Sequence, residues 1–272
     1  MTIDSELPVF TLTEGSIPLL ISIPHMGTHI PADIARSMTP LAQRYDDTDW
    51  HLDRLYDFAH SMGASILQPT CSRYVVDLNR PPDGANLYPG QDTTLLCPVD
   101  TFDKERLYPA GGEPDDAEQA RRCDLYWRPY HAALEAELAR LKAAHDGVLL
   151  WEAHSIRSHL PRFFEGRLPD FNFGTASDTS APPELAQDLV NLVTSQSSYS
   201  AIANGRFKGG HITRKYGKPA DNIYAVQLEL TQITYMNESH PYTYDEALAG
   251  KVQPVIQAAV EKAMQRCLGA RA

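Results

Sequence analysis

Short apolar runs alternate along the chain with longer stretches in which apolar residues recur every three or four positions. Residues 19–23, 64–67, 74–78, 148–151, 171–173 and 224–230 are rich in β-branched, aromatic and aliphatic side chains and are bounded by Gly, Pro or polar residues, which predicts strands. Trp50, Leu52, Leu55, Phe58, Ala59 and Met62 recur at the helical period, and Asp46, Asp47 and Asp49 just ahead of them suit a capped, dipole-favoured N-terminus. Residues 115–145 predict one long helix, interrupted at Pro129, whose ring removes a backbone donor and clashes one turn back. Residues 184–195 and 245–268 complete the helices. Strands separated by helices imply an α/β chain with a largely parallel sheet covered on both faces. The segment 81–112, rich in Pro, Gly and Asp, reads as a long surface excursion of a kind that is often functional.

The chain has 272 residues, near the upper limit for one hydrophobic core, so a single domain over residues 1–272 is expected. Its formal charge of -11 leaves no basic field for nucleic acid. An acidic chain that binds an acidic ligand must gather cations locally, which directs attention to its arginines. Cys71, Cys97, Cys123 and Cys267 stand far apart without a C-x-x-C pair and read as free thiols. The opening MTIDSELPVFTLTEGS lacks a basic region followed by an apolar one, and no run reaches the roughly 18 apolar residues of a membrane span. A cytoplasmic protein with no membrane partner is expected.

In α/β sheets, ligands sit at the carboxyl ends of strands. His25 follows the first predicted strand, Glu152 and His154 end the fourth, and Glu229 lies inside the sixth. Strand-end imidazoles make good zinc ligands, and a catalytic zinc takes three protein ligands with a fourth position left open. The third is expected from the acidic cluster ahead of the helix, with Asp49 favoured and helix capping the alternative for each aspartate. A carboxylate near bound water can act as general base. Glu229, in an apolar strand, suits that role, and Glu152 competes for it or serves as a partner of His154. A lone strand-end histidine is more often a packing residue; the pair together with Glu229 is what points to chemistry.

Arginines form the second constellation. Arg73 precedes the predicted strand 74–78, Asn79-Arg80 follow it, and Arg214 lies after paired glycines that permit close backbone approach. A guanidinium matches a carboxylate bidentately. A surface ion pair is the usual role of any single arginine, but three near strand ends in an acidic chain suggest an anion pocket.

The segments PHMG, DTDWHLDRLY, SRYVVDLNRP, WEAHS, GGHITR and QLELTQ, in this order over about residues 8–265, resemble the N-formylglutamate amidohydrolase family. The SRYVVDLNR stretch also resembles aspartoacylase and succinylglutamate desuccinylase, zinc-carboxypeptidase-like deacylases of acidic amino acids. The resemblance implies a three-layer αβα sandwich with a mostly parallel central sheet, zinc-carboxypeptidase-like or phosphorylase/hydrolase-like. It implies hydrolysis of N-formyl-L-glutamate to L-glutamate and formate, the closing step of a histidine-degradation route, with a divalent metal, zinc foremost. His25 and His154 match the outer metal ligands, Glu229 the general base, and Arg73 the arginine that polarises the scissile carbonyl. Asn79 and Arg80 match the pair that holds the substrate α-carboxylate, and His211 and Arg214 of GGHITR join the substrate contacts. One departure matters: the carboxypeptidase pattern is His-x-x-Glu, but Thr28 stands three residues after His25, so Asp49, with Asp47 in reserve, must supply the acidic ligand. Rival readings are another N-acyl amino acid deacylase, a peptidoglycan-type amidase with a longer groove, or a metal-free carboxylate-binding protein.

Overall fold

A computed structural model describes residues 7–87 and 90–269; residues 88 and 89 of the predicted surface excursion, and residues 1–6 of the opening segment, lie outside the described residues. Seven strands form one sheet: β1 (Phe10–Thr13), β2 (Leu19–Ser22), β3 (Ser65–Pro69), β4 (Val148–Ile156), β5 (Phe171–Gly174), β6 (Ala201–Ala203) and β7 (Ile223–Thr231). Their order is β1-β3-β2-β4-β7-β5-β6. β3, β2, β4 and β7 run parallel, β1 pairs antiparallel at one side, and β5 and β6, parallel to each other, pair antiparallel to β7. The α-helices are α1 (Ala32–Ala35), α2 (Leu52–Leu55), α3 (Phe58–Met62), α4 (Asp116–Arg122), α5 (Arg128–Ala144), α6 (Leu185–Gln196), α7 (His211–Tyr216) and α8 (Glu246–Leu268).

β2 and β4 are buried at every position, the signature of strands covered on both faces. Alternation along β4 sends Leu149, Trp151 and Ala153 into a layer shared with α6 and α8, while Val148 and Leu150 enter a second layer with α5. The same period puts Glu152 and His154 on the second face. In β7, Val226, Leu228 and Leu230 face the first layer, leaving Gln227 and Glu229 beside Ala225 on the second. The expected sandwich of helices around a mostly parallel sheet is therefore present.

Four local expectations change. Residues 74–78 are not a strand but a buried turn, with Tyr74, Val75, Val76 and Leu78 packed on all sides. The helix expected from Trp50 to Met62 is broken into α2 and α3. The three aspartates do not cap it: Asp46 bonds the Tyr242 hydroxyl and Arg44, Asp47 accepts from the Phe102 amide, and Asp49 accepts from the Ser155 amide. Pro129 does not interrupt the long helix, because it falls in the first turn of α5, just after a π turn, Cys123–Trp127. All four cysteines are free. Among the described residues, no helix is long and apolar enough to cross a membrane.

Candidate active site

Strand register builds the site. β4 and β7 align His154 with Glu229 and Glu152 with Gln227, and β2 aligns Ser22 with Glu152, so that His25, three residues beyond Ser22, reaches the same edge. The Asp49 amide donates to the His25 carbonyl at 3.1 Å, which fixes the acidic loop against that strand end.

His25, Asp49 and His154 offer ligand atoms that all lie within 4.8 Å of one another, and all three are buried. Two ligands bound tetrahedrally at about 2.1 Å stand about 3.4 Å apart. Asp49 Oδ2 lies 3.7 Å from His25 Nδ1 and 3.1 Å from His154 Nδ1. The far nitrogen of each imidazole meets a carboxylate: His25 Nε2 lies 2.7 Å from Asp77 Oδ1, and His154 Nε2 lies 2.8 Å from Glu152 Oε1. Carboxylates in those places fix the tautomer with its proton on Nε2 and aim the Nδ1 lone pair inward. The second Glu152 oxygen is also engaged, by the Thr213 amide at 3.1 Å and hydroxyl at 2.5 Å.

Charge supports a cation here. Asp49, Asp77, Glu152 and Glu229 are buried around the imidazoles with Arg73 as the nearby guanidinium. Burial works against the Asp77 charge, but His25, Arg73 and Arg80 outweigh it and hold the carboxyl well below the usual range. Burial would also lower His154, yet hydrogen bonds to Asp49 and Glu152 carry it up to about 10, while burial and Arg73 depress His25. Burial pushes the Glu229 carboxyl up to about 8 against the opposing effect of His154.

These three residues could hold a divalent metal. His25→Ala, His154→Ala and Asp49→Asn are each expected to lose it, by elemental analysis of the purified protein, with the far-ultraviolet circular dichroism unchanged. Asp47→Asn is expected to keep it, because Asp47 is turned to the Phe102 amide. Loss in Asp47→Asn with retention in Asp49→Asn would exchange the two aspartates.

A cavity opens over the cluster, lined among others by His25, Arg73, Arg80, His154, Arg206 and Glu229. Phe102, Phe163 and Phe207 wall it, and Phe102 also packs with Ile156, Leu160 and Leu168 in a small separate core. Arg73 donates to Asp77 at 2.7 Å, stands 3.7 Å from Asp49 Oδ1 and lies over the Phe102 ring.

The whole chain can now be set beside known proteins. The N-formylglutamate amidohydrolase family model matches residues 17–236. The chain belongs to this family. It is 48% identical to an N-formylglutamate deformylase of Pseudomonas putida, over 92% of this chain and 93% of that one. A deformylase of the same name from Pseudomonas aeruginosa is 49% identical over 93% of this chain and 95% of its own. The solved N-formylglutamate amidohydrolase from Ralstonia eutropha JMP134 shares the fold, with a TM-score of 0.77 at 24% identity over 95% of this chain and 99% of that one. Membership makes the chain a hydrolase acting on an amide.

Within the family frame, the structure brings together His25, Asp49, His154, Glu229, Arg73, Asn79 and Arg80, and does not bring in His211 or Arg214. Both of those lie on α7, outside the cavity lining. Arg214 is exposed and its Nε donates to the Gly209 carbonyl at 2.8 Å, so the helix that follows the paired glycines carries it away from the cluster. Those glycines serve the site differently: a Cβ on Gly210 would stand 2.3 Å from the Asn79 amide, whose oxygen accepts from the Ile212 amide at 2.9 Å. Arg206, not picked out from the sequence, lines the cavity. It lies three residues before the Gly pair, and that proximity was the available signal.

Proposed function

We propose that the chain hydrolyses N-formyl-L-glutamate to L-glutamate and formate, the end of a histidine-degradation route, in the cytoplasm and as one catalytic domain. The observation that carries the reading is a buried His25, Asp49 and His154 cluster opening, beside Glu229, into a cavity edged by Arg73, Arg80 and Arg206. The names of the relatives supply the acyl group and the amino acid. His25, Asp49 and His154 would hold a divalent ion, zinc foremost, which when bound would supply Lewis acidity towards water and a carbonyl.

Glu229 is the general base, because it faces the cavity, whereas both oxygens of Glu152 are committed to His154 and Thr213. It takes a proton from the attacking water and returns it to the glutamate nitrogen as the C–N bond breaks and formate leaves. Arg73, held by Asp77, places its guanidinium beside the developing oxyanion. Asn79 and Arg80 hold the α-carboxylate, with the Arg80 guanidinium fixed by the Thr94 carbonyl at 3.1 Å and hydroxyl at 2.9 Å.

Formate release from N-formyl-L-glutamate is the test: the purified protein is expected to release it, to lose the activity on chelation and to regain it with zinc. Cleavage of a different N-acyl amino acid without formate release would replace the substrate.

A further inference from the structure

The helical stretch that covers the buried turn after Arg73 is not regular. α4 passes through the five-residue π turn Cys123–Trp127 before α5 begins. In an unbroken α-helix, at about 100° per residue, Trp127 would stand about 140° around the axis from Arg122. The π turn absorbs the extra residue, and Arg122, Trp127 and His131 all meet one segment of backbone. Arg122 donates to the Val75 carbonyl at 3.2 Å, the Trp127 indole N–H to the Arg80 carbonyl at 3.0 Å, and His131 Nε2 to the Leu78 carbonyl at 2.9 Å. All three side chains are buried, and the indole stacks on the imidazole with ring centroids 3.6 Å apart. A carbonyl only accepts, so the His131 proton is on Nε2 and Nδ1 accepts from the Tyr216 hydroxyl at 2.7 Å. Residues 75–80 belong to no strand, so these donors take the place of a ladder in setting their conformation.

We propose that Trp127 and His131 are positioning residues that hold, through the Arg80 and Leu78 carbonyls, the turn presenting Asn79 and Arg80 to the substrate carboxylate. The proposal rests on the assignment of that carboxylate to Asn79 and Arg80. Neither positioning residue lines the cavity, so their effect on substrate must pass through the turn.

Trp127→Phe removes the indole donor and keeps an aromatic ring. It is expected to raise KM for N-formylglutamate by about fivefold to tenfold, as the loss of one hydrogen bond implies, with kcat within about twofold. His131→Phe should do the same, and His131→Gln, which returns an N–H near the position of Nε2, should restore KM. A purely structural role would lower the melting temperature and the active fraction, and KM does not depend on the active fraction. Arg80→Ala and the double variant Asn79→Ala/Arg80→Ala are measured alongside, and adding Trp127→Phe to the double variant should raise KM no further. Unchanged KM in Trp127→Phe and His131→Phe, with KM raised in Arg80→Ala, would overturn the proposal alone. Unchanged KM in Arg80→Ala would overturn both it and the carboxylate assignment. Independent, multiplying effects when Trp127→Phe is added to Asn79→Ala/Arg80→Ala would also overturn it, by showing that Trp127 acts elsewhere.

Discussion

Glu229→Gln is expected to lower kcat by about 10²-fold or more, the scale of a lost general base, while the protein keeps its metal and its KM changes little. Gln preserves the volume and the polar contact of the side chain but cannot accept and return a proton. The placement favours the role: Glu229 lines the cavity into which the His25, Asp49 and His154 cluster opens, where its carboxylate can meet an attacking water. Glu152→Gln makes the informative comparison. Its carboxylate takes the His154 Nε2 proton at 2.8 Å and receives the Thr213 amide and hydroxyl, so the change disturbs the orientation of His154. It is expected to weaken metal retention, which Glu229→Gln leaves intact. If Glu152→Gln alone stopped turnover with metal bound, the base would be Glu152 and the positioning role would pass to another group.

The parts of this fold legible in the sequence are those in which one physical cause dominates. β2, β4 and β7 are buried along most or all of their length because helices cover both faces, so each carries an apolar stretch visible in the sequence, and the strand-end rule then leads to His25, His154 and Glu229. β1 and β6, four and three residues of partly exposed edge strand, carry no comparable signal. Residues 74–78 mislead for the opposite reason. They are apolar on all sides because the turn is buried, and burial alone does not separate a strand from a turn whose carbonyls bond Arg122, His131 and Trp127. Among the three aspartates the sequence favours Asp49 but leaves Asp47 and helix capping open; the backbone bond from the Asp49 amide to the His25 carbonyl holds Asp49 at the cluster, while Asp47 turns to the Phe102 amide. Arg214 and Arg206 flank the same glycines; α7 starts at His211 and carries Arg214 outward, while Arg206 stays in the loop over the cavity.

That exchange sets the largest difference expected between substrates. N-formylglutamate has two carboxylates, and Asn79 with Arg80 accounts for one. With Arg73, held by Asp77, assigned to the reacting carbonyl, we propose Arg206, which lines the cavity with Arg73 and Arg80, as the cation that meets the side-chain carboxylate. Its guanidinium is fixed from behind: Nε donates to the Phe163 carbonyl at 2.7 Å, NH2 to the Asp92 carbonyl at 3.2 Å, and the group lies near the Phe163 and Phe207 rings. A pre-set planar fork loses little entropy on gripping a carboxylate. Leaving a desolvated carboxylate without its partner costs a few kcal/mol, which corresponds to about two orders of magnitude in kcat/KM. Arg206→Ala is therefore expected to lower kcat/KM for N-formylglutamate by about 10²-fold, and to change it little for N-formylmethionine or N-formylglutamine, whose side chains are neutral. Arg214→Ala, at an exposed position, is expected to stay within about fivefold on both kinds of substrate, the range of a solvent-exposed ion pair. Formate release measured for the wild type and the two variants on the charged and neutral substrates separates the cases. Equal losses on both kinds in Arg206→Ala would mean that the residue serves the reaction centre or the loop, and selective loss in Arg214→Ala alone would move the side-chain carboxylate to α7.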